Sequence, residues 1–514
     1  MAKEFDLSQK DAINSVENSV VSAGAGSGKT SVLSERFSHL VIDKKIKVDQ
    51  ILTLTFTKKS TVEMYGRIYK TLKEKAPDQV SDFYKAHIKT LDSYCSSVAK
   101  LGARFYGLSP DIQVDKEGIE SQVSAMALSF IIENRNNEAI RALAGTKSFQ
   151  EIADGLFAGP ILKASTIAEP IDFDKSLLSQ HKEIIDAWEK ECKEIPGIIH
   201  NLNSAYEKYS GNRETIFLKG LKEKLSLDFP ESPVIKEEDF AEGNIKGLEN
   251  YIKFLKDFTS LKLPGGKQKD DFIAIKELYC SLREYIPKLV PIANNVYGGS
   301  YVKKIIPLMK DFQDKVNTLK RSQGILTHAD VASLAVNILK NYPEIRASEK
   351  KKYKAIMIDE FQDNNSMQRD MLFLLAEKEE RMEKGVPPVD SLLPNRLFFV
   401  GDEKQSIYRF RNADVSVFRS LSKDFEKGNK ELKTNYRSDA ALIQAFNTMF
   451  GGLPFIEKKA PDEEKTPSVF FTEADAAIKD RVPDYEAVYH EVSLPKDKKR
   501  ECEKKVHIAL CNQK

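Results

Sequence analysis

Short apolar runs separated by helix-period segments open the chain. Ser19–Val21 and Ile51–Phe56 have the length and β-branched content of strands buried on both faces. Their alternation with helical patterns from Met1 to about Ser109 predicts parallel strands joined by crossover helices. The same pattern resumes at Ala355–Ile358 and Leu397–Val400. Between about Pro110 and Ala347 strand signals are sparse. There Phe272, Ile275, Tyr279, Leu282 and Ile286 follow a 3-4-3-4 spacing, one apolar stripe on a helix that Pro287 is expected to interrupt. Thr327 and Asp330 form a capping-box pattern ahead of Val331, Leu334, Ala335 and Ile338, so another helix starts there. Leu263–Asp270 contains Pro264, Gly265, Gly266 and three charges, and predicts an exposed loop. A last piece starts near Gly428, helical over Asp439–Phe450 and then polar and weakly periodic. The expected fold class is α/β, a parallel sheet interrupted by a large helical insertion.

Composition narrows the partners. Among 514 residues, 79 Lys+Arg against 77 Asp+Glu leave a net charge of +2, so any nucleic-acid contact must come from local patches. Hydrophobic residues at 41% and charged residues at 30% describe a globular chain with a heavily charged surface. This length allows about three or four domains, with cores that need no staples. Cys95, Cys192, Cys280, Cys502 and Cys511 are scattered and contain no CxxC pair, which argues against a disulfide framework, a zinc site or an iron–sulfur site. The N-terminus has no apolar signal region and no run of about 18 apolar residues occurs, so no membrane partner and a cytoplasmic location are expected. Lys496–Lys505 carries nine charges of mixed sign in ten residues and predicts a solvated loop.

The strongest local signal is Ala23-Gly24-Ala25-Gly26-Ser27-Gly28-Lys29-Thr30, placed between a β-run and a helical pattern. Glycines let successive backbone N–H groups turn towards phosphate oxygens, and the helix N-terminus adds a favourable dipole. Lys29 would reach the β- and γ-phosphates of ATP, and the Thr30 hydroxyl would ligate Mg²⁺. Hydrolysis also needs a metal-holding carboxylate and a group that activates water. Asp359 and Glu360, at the end of an apolar run, supply both: Asp359 towards the metal, Glu360 as general base.

With its neighbours, Asp359-Glu360-Phe361-Gln362-Asp363 resembles motif II of the UvrD/Rep-type superfamily-one DNA helicases, and the phosphate loop resembles their motif I. Val400–Arg411 is similar to motif III, Thr55–Ser60 to motif Ia, Thr90–Cys95 to motif Ib and Asn435–Ser438 to motif IV. The six occur in the family's order and span about residues 5 to 450. The wide gap between motifs Ib and II, with Gly324–Asp330 ahead of motif II, is similar to the AddA/RecB branch, the motor subunits of helicase–nuclease complexes. The resemblance implies a RecA-like first lobe in two parts, 1–109 and 348–427, a helical insertion at 110–347, and the start of a second motor lobe at 428–514.

The resemblance also assigns roles. Gln9, in the first turn of a helix expected to be capped by Ser8, matches the adenine-reading glutamine. Gln405 matches the γ-phosphate sensor of motif III. Tyr436 would stack on adenine, and Arg437 would place a guanidinium on the γ-phosphate. Arg411 would support that network. Phe56, Thr57, Tyr94, Tyr408 and Phe410 match positions lining the single-strand track, where aromatic faces and phosphate donors are needed. The departures are Asp92, where the family carries His and where an acid would repel phosphate, and Lys58 in place of Asn.

What the family implies as a whole is an ATP-dependent 3′–5′ DNA helicase acting on single strands and DNA ends, with a nuclease-bearing partner subunit. No motif V or VI follows residue 450, so the chain is expected to be a fragment, a split gene or a truncated paralogue. The competing reading is an ATP- and single-strand-binding module with little unwinding of its own.

Overall fold

Six short segments pair in parallel into one sheet: β1 (Ser19–Ala23), β2 (Ile51–Thr55), β3 (His87–Thr90), β4 (Ala355–Ile358), β5 (Leu397–Gly401) and β6 (Asn429–Leu432), in the order β3-β2-β4-β5-β1-β6. The register sets Val20 opposite Phe399 and Asn429, and Leu52 opposite His87 and Ile356. The computed structural model describes residues 4–209, 215–265, 270–409, 413–451, 470–477, 482–483 and 486–495.

Strand side chains alternate between two cores, because successive residues of a strand point to opposite faces. On one face Leu52, Leu54, Ile356, Ile358, Leu397 and Phe399 pack with the helices Leu91–Gly102, His328–Asn341 and Ser366–Ala376. On the other, Val21, Ile51, Met357, Phe398 and Val400 pack with Leu7–Asn14, Lys29–Ile42 and Lys58–Lys75. Both faces are covered, which explains why β4 and β5 read as continuous apolar runs and why every residue of β2 is buried. In such sheets ligands gather at the carboxyl ends of the strands. β1, β2, β4 and β5 are followed there by the phosphate loop, Phe56, Asp359 and Asp402, and β6 leads into Asn435.

The chain separates into two compact units. One comprises Met1–Lys116, Ile167–Glu169 and Arg321–Lys514 and contains the sheet; the other comprises Glu117–Thr166 and Pro170–Lys320. β6 belongs to the first unit, so the sheet takes its last strand from just beyond residue 428. The second unit is helical among the described residues. Its larger core gathers Trp188, Phe217, Phe240, Tyr251, Phe258, Tyr279 and Leu289. Two of its aromatic residues have their polar tips satisfied: Trp188 Nε1 donates to the Pro233 carbonyl at 2.8 Å and the Tyr279 hydroxyl to the Phe258 carbonyl at 3.0 Å.

Two local expectations need correction. The helix Asp270–Gln323 runs through Pro287, Pro291 and Pro307 rather than stopping at the first. An interior proline costs about 3 kcal/mol. The buried stripe offsets that cost by continuing past it as Leu289, Ala293 and Val296. The first helix is capped by Asp6, not Ser8: the Asp6 carboxylate accepts the Gln9 N–H at 2.8 Å, and the Gln9 side chain accepts the Asp6 N–H at 3.1 Å. The Thr327–Asp330 capping box forms as expected. Lys496–Lys505, Cys502 and Cys511 lie outside the described residues, and Cys95, Cys192 and Cys280 are free thiols. No helix among the described residues is long and apolar enough to cross a membrane.

Candidate nucleotide site

After β1 the chain turns through Gly24–Gly28 into the helix Lys29–Ile42. Gly26 and Gly28 sit at φ +76° and +89°, in the left-handed region that side chains disfavour. A Cβ on Gly28 would stand 2.9 Å from Gln9 Nε2, and one on Gly26 would meet Asn435 Oδ1 at 2.6 Å. The loop therefore needs glycine for its turn and for what packs on it. Gln9 is buried, and its Nε2 donates to the Ser27 carbonyl at 2.9 Å. The Ser27 hydroxyl is buried with no hydrogen-bond partner among the described residues.

β4 delivers the acids. Lys29 Nζ lies 2.9 Å from Glu360 Oε2, joining the phosphate loop to motif II. Glu360 adopts φ +52° and ψ +45°, a strained conformation for a residue with a side chain, and its N–H donates to Asp359 Oδ1 at 3.0 Å. Asp359 is pushed up to about 6 by burial and then by the Glu360 charge, with Lys29 opposing. Asp363 is raised to about 6 by the same causes. The Glu360 charge thus acts on both acids, with the Lys29 ammonium opposing it at each.

Motif II is tied to motif III by Gln362, whose Nε2 donates to Glu360 Oε2 at 2.9 Å while its Oε1 accepts the Asp402 N–H at 2.9 Å. A Cβ on Gly401 would stand 2.7 Å from that same Oε1, so Gly401 lets the two loops touch. Gln405 Nε2 donates to Asp402 Oδ2 at 2.8 Å, and Lys404 Nζ sits 3.0 Å from Asp402 Oδ1.

Motif IV lies against the phosphate loop. Asn435 Nδ2 donates to the Ala25 carbonyl at 2.8 Å, and the Tyr436 N–H donates to the Gly26 carbonyl at 2.9 Å. Asn435 Oδ1 accepts the N–H groups of Arg437 and Ser438 at 2.8 and 2.9 Å, an Asx turn. The Tyr436 hydroxyl donates to the Asp6 carboxylate. Arg437 is exposed beside Gly26.

Of the aromatic residues, Phe56 and Tyr408 come together, half-buried, with ring centroids 5.0 Å apart. Thr57 caps the helix Lys58–Lys75, its hydroxyl accepting the Ser60 N–H at 3.0 Å. Tyr94 is elsewhere. It is 2% exposed in the core, and its hydroxyl donates to Glu349 at 3.2 Å, so it offers no face to a strand. The reason is helical phase: with Leu91, Cys95 and Val98 it occupies the buried stripe of Leu91–Gly102. Phe410 and Arg411 lie outside the described residues. Asp92 pairs with His328 at 3.6 Å.

Residues 6–426 match the UvrD/REP helicase N-terminal domain. The chain belongs to this family. Among its relatives, an ATP-dependent helicase/nuclease subunit from Streptococcus pneumoniae serotype 2 is 24% identical over 483 residues, covering 85% of this chain and 38% of the relative. The exonuclease/helicase subunit RexA of Streptococcus pneumoniae serotype 4 shows the same values. An ATP-dependent helicase/nuclease subunit from Streptococcus pyogenes serotype M3 is 25% identical over 508 residues, covering 87% of this chain and 39% of the relative. The chain therefore spans about two fifths of the length of these relatives.

As a UvrD/REP helicase domain, the chain contains ties that its motifs do not single out: Gln362 between motifs II and III, Asn435 on the phosphate loop, and Asp6 holding both Gln9 and Tyr436. Asn435 was legible in principle as a turn former, since an Asn side chain readily bonds its own backbone two residues on in an Asx turn. Gln362 was not, because its partner Asp402 is 40 residues away in sequence. Among the described residues no three His, Cys, Asp or Glu side chains gather to hold a metal alone. A buried hydroxyl, buried acids of raised pKa and the Thr30 hydroxyl nevertheless suit an ion that shares its ligands with phosphate and water, as Mg²⁺ does.

Proposed function

We propose that this chain is the ATP-driven motor portion of a DNA helicase that moves 3′ to 5′ on a single strand and works beside a nuclease-bearing partner subunit. The observation that carries the reading is the 2.9 Å approach of Lys29 to Glu360 at the carboxyl ends of β1 and β4, beneath a motif IV segment seated on the phosphate loop. The names of the relatives, ATP-dependent helicase/nuclease subunits, support the substrate and the partner.

In this reading the N–H groups of Gly24–Thr30 and the Lys29 ammonium bind the β- and γ-phosphates. Thr30 and Asp359 would hold Mg²⁺, which neutralises charge developing on the phosphates. Glu360 takes the proton of the attacking water. Gln362 orients Glu360, and Asp402 holds Gln405 ready for the γ-phosphate. Arg437, exposed at the loop, spreads charge in the transition state. Gln9 and Tyr436, joined through Asp6, form the base end. Phe56, Thr57 and Tyr408 begin the strand track, with Phe410 as a sequence-based addition. Movement follows from closing around ATP and reopening after hydrolysis.

Glu360→Gln tests the base: turnover should fall by about 10²-fold or more while nucleotide affinity stays within a few fold. Unchanged turnover would remove Glu360 from that role.

A further inference from the structure

Residues 486–495 touch three places distant in sequence. The Val488 N–H donates to Glu403 Oε1 at 3.1 Å. Ser493 donates its N–H to the Lys433 carbonyl and accepts the Asn435 N–H, both at 2.9 Å, in a parallel bridge opposite Thr434. Asn447 brackets Val492, giving its Nδ2 to the Val492 carbonyl and accepting the Val492 N–H, each at 3.0 Å, and it accepts the Tyr489 hydroxyl at 2.7 Å.

Glu403, the residue after Asp402 in the motif III turn, anchors this segment. It is 8% exposed, with Arg419 Nε at 3.4 Å and His490 Nε2 at 3.9 Å from its carboxylate, and His490 Nδ1 lies 3.1 Å from Glu431. Arg419 also donates to the Pro483 and Glu486 carbonyls at 2.9 and 2.7 Å. Removing the carboxylate would leave the Val488 N–H without its acceptor and take the ion-pair partner from the part-buried Arg419, so the segment would lose its hold at that end. Its other end supports Asn435, whose side chain and neighbouring Tyr436 N–H rest on the Ala25 and Gly26 carbonyls.

We propose that Glu403 is a positioning residue of the nucleotide site: through residues 488–493 it holds Asn435–Arg437 on the phosphate loop and links that hold to the motif III turn. The consequence for ATP rests on the nucleotide reading above, whereas the link itself is geometric.

Hydrogen exchange resolved to single amides, on the full chain with and without a non-hydrolysable Mg·ATP analogue, separates the two. Without nucleotide, Glu403→Ala should speed exchange at the Asn435, Tyr436 and Arg437 amides about tenfold, the scale of one lost buried hydrogen bond. Glu403→Gln keeps an acceptor for the Val488 N–H and should change them less than about threefold. Wild-type exchange at 435–437 in Glu403→Ala, with faster exchange confined to 486–493, would overturn the proposal. Should Glu403→Ala lose protection throughout, Glu403→Asp is read at the same amides, where unchanged exchange overturns it equally. If the analogue protects nothing on the wild-type phosphate loop, the nucleotide reading fails, while the comparison without nucleotide still decides the role of Glu403.

Discussion

Asp359 carries the sharpest consequence at the scale of one residue. Its folded pKa of about 6 stands above the ordinary 3.8, with Asp363 raised beside it. A raised carboxylate binds its proton more tightly in the folded state, so stability falls as pH rises through the window from 3.8 to about 6, and the loss is complete above it. The cost is on the order of 3 kcal/mol at neutral pH. Asp359→Asn should therefore raise the urea midpoint at pH 7.5 and leave it nearly unchanged near pH 4. Mg²⁺ with a nucleotide should stabilise the wild type more than this variant. An equal midpoint shift at both pH values would contradict the burial argument. The Lys29–Glu360 pair is part-exposed, with side chains 11% and 33% accessible, so it is assigned no such stability role.

Elements position these residues, and one buried cation shows how. Arg36, on the helix Lys29–Ile42, donates to the carbonyls of Ala12, Ile13 and Ser15 at 3.2, 2.9 and 3.1 Å and to Asn395 at 2.7 Å, with its guanidinium 4.2 Å over Phe398. Burial pulls its pKa down to about 10. It closes the C-terminus of the helix that carries Gln9, the residue resting on Ser27. Arg36→Met should cost about 3 kcal/mol, because several carbonyls lose their donor together. It should also weaken nucleotide affinity; chemical denaturation and calorimetry would check both. Loss of stability with unchanged affinity would show that the Gln9 helix does not shape the loop.

The four central strands were legible because burial on both faces makes them apolar runs. The edge strands His87–Thr90 and Asn429–Leu432 were not: they carry His, Lys, Asn and Glu, as edges exposed to water do. The phosphate loop and the acids were legible as local strings. What was hidden are cross-chain ties such as Gln362–Asp402, and helical phase, which sends Tyr94 into the core.

For the whole molecule, a net charge of +2 means that strand binding must come from local donors and stacking. Affinity for single-stranded DNA should fall steeply with salt, and Phe56→Ala should weaken it by about 1–3 kcal/mol through the lost stacking face beside Tyr408. Tyr94→Phe should leave it unchanged. Fluorescence anisotropy over a salt series would read all three, and a salt-independent affinity would count against a phosphate-tracking groove.

If Lys29, Asp359 and Glu360 form a working ATP site coupled to a DNA strand, hydrolysis must depend on both the lysine and the strand. The Mg·ATP hydrolysis rate of the purified chain, with and without single-stranded DNA and with Lys29→Ala as the reference, decides this. Hydrolysis in the wild type should rise severalfold with the strand and be lost in Lys29→Ala. Equal rates in the two proteins, with or without DNA, would contradict it.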